Sequence, residues 1–182
     1  MRLKNEQVVL VDKNGNKLGL MDKLEAHHGN GTLHRAISVV LYRLRNGKKE
    51  LLLQQRSKGK PLWPLFWTNT VCTHPRDGES YKTCAVRRLK EEMGIVLKEK
   101  SLSFVFRILY QATYNKELSE YELDSVFLGK WDGEYHLVLD EAADARWADW
   151  HAVTSDVKKN PNRYTPWFQK IMHQKEIIEY FK

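Results

Sequence analysis

Between positions 67 and 75 the chain reads Trp-Thr-Asn-Thr-Val-Cys-Thr-His-Pro, and this stretch restricts the fold more than any other. Residues two apart on an extended strand point to the same face, so Cys72 and His74 are expected to face one pocket. Pro75 has no N–H to give to a sheet ladder, so the strand is expected to stop there. The next residues, Asp77-Gly78-Glu79, form a turn leading into a helix expected over 79–93, which Gly94 closes as the residue after its C-cap. A thiol and an imidazole therefore stand one turn of chain before a carboxylate-rich helix that ends Arg87-Arg88-Leu89-Lys90-Glu91-Glu92-Met93-Gly94. Carboxylates in a last helical turn oppose the helix dipole, so Glu91 and Glu92 are poorly placed for stability alone. Arg88 and Glu92, four apart, share a face of that helix.

The rest of the chain supplies strands and a second helical region. Val8-Val9-Leu10-Val11 and Lys17-Leu18-Gly19-Leu20 flank an Asn-Gly turn and read as a hairpin. Residues 36–44 read as a buried strand that turns at Asn46-Gly47 into a return strand over 50–56. Further strands are expected at 103–113, 119–129 and 142–147, then a turn or helix over 149–158. Thr165-Pro166 reads as an N-cap with proline at the first helical position, opening one helix that runs towards Phe181. The order implies an α/β fold, an α/β/α sandwich around a mixed sheet, in one domain over 1–182. Residues 1–34 form an N-terminal extension and 165–182 a C-terminal helix. A chain of 182 residues is long enough to bury a substantial core.

Three features of this pattern are open to two readings each. The segment Asp22 to His34 holds three of the seven histidines, with Gly29 and Gly31 between them. His27 and His34 are either solvated loop residues or a pair brought together by the glycine bend. Arg56-Ser57-Lys58-Gly59-Lys60 is either an exposed basic loop or a phosphate clamp with Arg56 and Lys60 as donors. Glu120 and Glu122 alternate with Tyr121 and Leu123 along their strand. Facing outward the two carboxylates are ordinary, whereas facing inward they repel unless a cation lies between them.

Net charge is +7, which favours anionic partners: nucleic acid, a membrane surface or phosphorylated small molecules. No run of five or more like charges marks a nucleic-acid tail. No stretch approaches the length of a membrane span, and the first seven residues contain no apolar leader core. Two cysteines are too few for a secreted disulfide framework, so Cys72 and Cys84 are expected as free thiols in a reducing cytoplasm, with Cys84 a small core residue on the helix.

Glu79 followed by Arg87-Arg88-Leu89-Lys90-Glu91-Glu92-Met93-Gly94-Ile95 resembles a degenerate Nudix box, with Thr73 in place of its first glycine and Arg88 in place of a glutamate. The second departure removes a carboxylate from the metal-binding helix and counts against plain Nudix diphosphate hydrolysis, the rival chemistry. A non-catalytic nucleic-acid module would leave the histidine and glutamate pattern unexplained. Taken from Lys23 to Trp167, the chain is similar to the type I isopentenyl-diphosphate isomerases of the Nudix fold. The resemblance rests on Trp67-Thr68-Asn69 before Cys72-Thr73-His74-Pro75, on His27 and His34, and on Glu120-Tyr121-Glu122.

That resemblance implies one divalent ion (Mn²⁺, Mg²⁺ or Zn²⁺) held by His27, His34, His74, Glu120 and Glu122. It implies that Glu92 helps hold a Mg²⁺ arriving with the substrate diphosphate, and that Lys23, Arg56, Lys60 and Arg88 neutralise the phosphates. The implied reaction interconverts isopentenyl and dimethylallyl diphosphate by adding a proton at C4 and removing one from C2 through a tertiary carbocation. Glu122, beside Tyr110, is the expected proton donor and Cys72 the group that removes the C2 proton, an assignment that reversal of the reaction exchanges. Trp167 is expected to offer its ring face to the cation and to shield the pocket. The implied partners are small diphosphates, with no nucleic acid and no membrane, acting in the cytoplasm as a monomer or homodimer.

Overall fold

A computed structural model describes residues 6–182. The leader expectation falls partly on residues 1–5, which lie outside the described residues. The hairpin is β1 (Gln7–Val11) and β2 (Lys17–Asp22), followed by a single turn of helix, α1 (Lys23–Ala26). Next come β3 (His34–Arg45) and β4 (Lys48–Arg56), joined at Asn46 (φ 50) and Gly47 (φ 74), the left-handed pair that a two-residue hairpin demands. The Trp67 to Pro75 stretch makes two short strands, β5 (Trp67–Thr68) and β6 (Val71–Thr73), the second ending two residues before Pro75. The helix α2 (Tyr81–Met93) starts two residues later than the sequence pattern suggested, because Ser80 accepts the Thr83 N–H as its N-cap. Gly94 closes it at φ 65. The remaining elements are β7 (Leu102–Thr113), β8 (Ser119–Lys130), β9 (Ala142–Asp149), α3 (Trp150–Lys159), α4 (Pro166–Met172) and α5 (Lys175–Phe181).

The single C-terminal helix expected over 165–182 is two helices. Gln174 takes an extended conformation (ψ 137) between them. The break lets Phe181 stack on Trp150 at 4.8 Å between ring centroids, and only α4 reaches the cavity described below. Thr165 stands at the N-cap position of α4 but makes no side-chain cap; its hydroxyl donates to Thr68 Oγ1 at 2.9 Å instead.

β3 is the spine of one mixed sheet. Along one side it pairs parallel with β8, from His34 opposite Glu122 to Tyr42 opposite Lys130. Along the other it meets β1, β6 and β4 in turn, all antiparallel. α2 covers one face of the sheet through Cys84, Ala85, Leu89 and Met93, packed on Ile37, Val39 and Leu41 of β3. α3, α4 and α5 cover the other through Trp150, Val153, Trp167, Phe168 and Phe181, packed on Val40, Leu51 and Val126. The result is an α/β/α sandwich. The N-terminal hairpin is part of its sheet, through Leu10 opposite His34. No described helix is long and apolar enough to cross a membrane.

Candidate active site

The face of β8 that looks towards α4 carries Glu120, Glu122, Asp124, Val126 and Leu128 at successive alternate positions. Its second half is ordinary core. Its first half puts three buried carboxylates where apolar side chains belong, and that transition locates the site. Register brings the other groups to it: Tyr110 of β7 lies opposite Glu122, His34 pairs with Glu122 across β3, and Cys72 lies opposite Ser38 on the far side of β3. Cys72, Glu120 and Glu122 open into a cavity of about 1190 Å³ that is also lined by His27, His74, Lys23, Arg56, Lys60, Arg88 and Trp167, while His34 and Tyr110 stand behind them.

Four of the five expected ligands converge. Atoms of His27, His34, His74 and Glu122 lie within 4.8 Å of one another. The Nδ1 atoms of His27 and His34 each donate at 2.6 Å to a backbone carbonyl, of Lys23 and of Thr32. A carbonyl only accepts, so Nδ1 carries the hydrogen and each Nε2 presents a lone pair. Those lone pairs face Glu122 Oε1, at 4.0 Å from His27 and 3.4 Å from His34, while His74 Nε2 lies 2.8 Å from the same oxygen. His34 Nε2 is buried with no hydrogen-bond partner among the described residues. Burial pushes His27 down to about 4 and His74 to about 3, so neither ring is charged at neutral pH. Electron pairs aimed at a carboxylate, with their tautomers fixed from behind, are the donor set of a divalent cation site, and the residues fit that group.

Glu120 stands one step outside this group. Tyr110 Oη is 2.8 Å from Glu120 Oε2 and 2.5 Å from Glu122 Oε2. One phenolic hydrogen cannot serve two carboxylates. Burial, and then the charge of Glu122, raise Glu120 well above the ordinary carboxylate range, so Glu120 carries the extra hydrogen. Burial also opposes the charge of Glu122, but hydrogen bonding from the neighbouring imidazoles, with His74 Nε2 donating at 2.8 Å, outweighs it and holds Glu122 ionised. Cys72 is a free thiol kept protonated by burial and then by the charge of Glu122. Cys84 is free and buried under α2, as a core residue.

Glu92 does not join the group. Its Oε1 accepts from Arg88 Nη2 at 2.7 Å and its Oε2 from Gln54 at 3.0 Å, and it does not line the cavity. The expected phosphate-binding cations all line the cavity, and each already holds a partner. Lys23 donates to Glu6 at 3.0 Å and Lys60 to Glu141 at 2.5 Å. Arg88 reaches Glu92, Glu91 and Glu141. Arg56 is the last residue of a strand rather than part of a loop; it donates to the carbonyls of Leu62 and Trp63 and stacks its guanidinium 5.1 Å from the Trp167 ring centroid. Trp167 is fully buried, with Trp63 edge-on at 5.7 Å.

Three acidic residues of the site were not singled out from sequence. Asp124 had a usable signal, because it continues the alternation of Glu120 and Glu122. Glu6 and Glu141 had none, lying far along the chain from the cations they hold.

A NUDIX domain model matches residues 32–170. The chain is 41% identical to isopentenyl-diphosphate Delta-isomerase 2 of Aromatoleum aromaticum, over 89% of this chain and 82% of that protein. It is 39% identical to isopentenyl-diphosphate Delta-isomerase 2 of Photorhabdus laumondii, over 93% and 92%. Among solved structures it is similar to DR0079 from Deinococcus radiodurans, with a TM-score of 0.69 and 15% identity over 92% of this chain and 97% of that one. It is also similar to a MutT protein from Methanosarcina mazei, with a TM-score of 0.63 and 16% identity over 82% and 96%. At these identities the two structures speak to the fold alone.

Proposed function

Since the chain belongs to the NUDIX-domain family and, within it, to the isopentenyl-diphosphate Delta-isomerases, we propose that its cavity shifts the double bond between two proton carriers, Cys72 and Glu122. The observation that carries this reading is the pair itself. A thiol on β6 and a carboxylate on β8 flank the same strand, β3, and line one cavity roofed by Trp167.

Isomerisation adds one proton at C4 and takes one from C2, so the protein must finish each turnover with its proton moved from one carrier to the other. In the free protein Cys72 holds its proton and Glu122 does not. That state supports Cys72 as donor and Glu122 as acceptor. The opposite direction starts from the other distribution, thiolate and carboxylic acid, with Glu122 as donor. Tyr110, hydrogen-bonded to both Glu120 and Glu122, stabilises whichever form Glu122 takes. A tertiary carbocation at C3 must be kept from water. The buried indole of Trp167 closes the cavity and offers a π face to positive charge.

His27, His34, His74 and Glu122 would hold a divalent ion, with Glu120 joining them by giving up its proton. Such an ion supplies positive charge that holds Glu122 in place and tunes its acidity. Lys23, Arg56, Lys60 and Arg88 would receive the diphosphate. Glu92 would serve a Mg²⁺ carried by the substrate only by releasing Arg88 or Gln54. Hydrolysis is disfavoured because Arg88 stands on α2 where a further carboxylate is needed and already pairs with two of those that remain.

The test is incubation with isopentenyl diphosphate and Mg²⁺ in D₂O, followed by NMR. Deuterium in the methyl groups of dimethylallyl diphosphate, lost in Cys72→Ala, is the expected result. Release of phosphate without isomer would overturn the reading.

A further inference from the structure

The loop between β8 and β9 brings a carboxylate into the cavity that the proton transfers do not use. The loop is pinned at both ends. His136 N–H donates to the Met93 carbonyl at 2.8 Å and Val138 N–H to the Glu92 carbonyl at 3.1 Å, which fixes the loop across the end of α2. Ser57 holds the other end: its Oγ donates to the Asp140 carbonyl at 2.8 Å and its N–H to the Glu141 carbonyl at 3.1 Å. The Glu141 side chain is thereby aimed between two cations from different elements. One of its oxygens, Oε2, accepts from Lys60 Nζ at 2.5 Å and from Arg88 Nη2 at 3.1 Å. No other carboxylate among the described residues touches both cations. Its own side chain is 25% exposed and lines the cavity.

Two cationic donors converging on one anionic oxygen is the arrangement a phosphate oxygen would receive. The pairing meets a physical need, since partly buried cations without a counter-charge carry a desolvation cost that nothing offsets. We propose that Glu141 is the displaceable counterion of the diphosphate subsite: in the empty cavity it neutralises Lys60 and shares Arg88 with Glu91 and Glu92, and it yields its place on both cations to the phosphate oxygens of the substrate. This rests on reading the cavity as the isomerase site. Exchange of one carboxylate for a more highly charged diphosphate is favourable, but each binding event gives up two ion pairs. Glu141 therefore weakens diphosphate binding relative to a site without it, and selects ligands with enough charge to displace it.

The test is titration of the metal-loaded protein with inorganic pyrophosphate at fixed Mg²⁺ by calorimetry, comparing the unmodified chain with Glu141→Gln. The expected result is a Kd about tenfold lower in the variant, the scale of two partly exposed ion pairs no longer broken on binding. Glu141→Ala removes the same charge from a smaller side chain and gives the same sign should the glutamine variant be unstable. An unchanged Kd would overturn the proposal, because the carboxylate would then stay in place beside the ligand. A higher Kd would overturn it as well, because Glu141 would then help to hold the diphosphate or its cation. Isomerase activity of the unmodified protein, measured on the same preparation, tests the underlying reading separately.

Discussion

The two ends of the cavity meet their electrostatic needs in opposite ways. At the deep end the rings of His27 and His34 are held by their Nδ1 hydrogen bonds with Nε2 turned towards Glu122, and His74 Nε2 donates to the same carboxylate at 2.8 Å. At the rim every expected phosphate-binding group is already occupied: Lys23 by Glu6, Lys60 by Glu141, Arg88 by Glu92, and Arg56 by two backbone carbonyls. The deep end offers a ligand set to a cation. The rim must give something up when a ligand arrives. A metal ion should therefore act on stability and on the chemical step, and a diphosphate mainly on binding.

The largest expected effect tests that division directly. Glu122→Gln keeps the shape of the side chain and removes both the charge the three imidazoles face and a proton carrier. Turnover should fall about a thousandfold or more, within the range for loss of a positioned acid or base. Lys60→Met at the rim should raise KM and leave most of kcat. The comparison breaks if the two variants show the same pattern in steady-state kinetics.

Metal and stability come next. Divalent ion at a hundredfold excess over its Kd should stabilise the protein by about 2.7 kcal/mol, read as a rise in melting temperature. His34→Ala should abolish that rise. Pyrophosphate should produce a smaller shift, because its binding breaks ion pairs already present. A pyrophosphate shift as large as that of the metal would mean that the rim is not satisfied in the empty protein.

How far these two ends could be read from the sequence differs for the same reason. Cys72 and His74, Glu120 and Glu122 follow from the period of a strand, a local property. The hairpin, the helix ended by Gly94 and the turn at Asn46-Gly47 are local too. His27 and His34 were recovered through a family resemblance, since a glycine-rich bend sets no geometry by itself. Parallel pairing of β3 with β8, which puts His34 beside Glu122, is long-range register and has no sequence signature. The counterions Glu6 and Glu141 depend on the same kind of contact. Arg88 and Glu92 illustrate the limit of local reasoning: their shared helix face was legible, but whether Glu92 turns to Arg88 or to a metal was not. The break between α4 and α5 has neither glycine nor proline to announce it, and goes with the packing of Phe181 on Trp150.

Asp124 sharpens the view of the deep end as short of positive charge. It is fully buried, accepts one hydrogen bond from Ser38 at 2.8 Å, and its other oxygen has no partner among the described residues. Burial, and then the charge of Glu122, raise its carboxyl from 3.8 to about 8. A raised folded-state value means that folding favours the neutral form. Its contribution is complete below about pH 4 and is lost as the pH climbs towards 8. Asp124→Asn, an uncharged isostere, should leave stability at pH 4 nearly unchanged and raise it at pH 8 by an amount on the order of a few kcal/mol in chelated protein. Urea unfolding at both pH values reads this difference. Equal effects at the two pH values would mean that Asp124 is not held neutral.

The smallest effect concerns the wall that joins the two ends. Trp167 packs against Arg56 at the rim, and the segment carrying it is registered by the Trp67-Thr68-Asn69 stretch. Thr165 N–H donates to the Trp67 carbonyl at 3.0 Å and Thr165 Oγ1 to Thr68 Oγ1 at 2.9 Å, while Thr68 donates in turn to Asn69. The hydroxyl of Thr165 does not cap its helix, so positioning is the task left to it. Thr165→Val keeps the side-chain shape and breaks only that relay, a loss of about 1 kcal/mol for one buried hydrogen bond. If the relay sets where the indole stands, kcat should fall up to about tenfold with KM little changed, because the ring is needed most when charge develops. Thr165→Ser, which keeps the hydroxyl, should restore kcat. A valine variant that loses stability but keeps full kcat would show that the relay only holds the helix down, and that the position of Trp167 is set by its packing on Trp63 and Arg56.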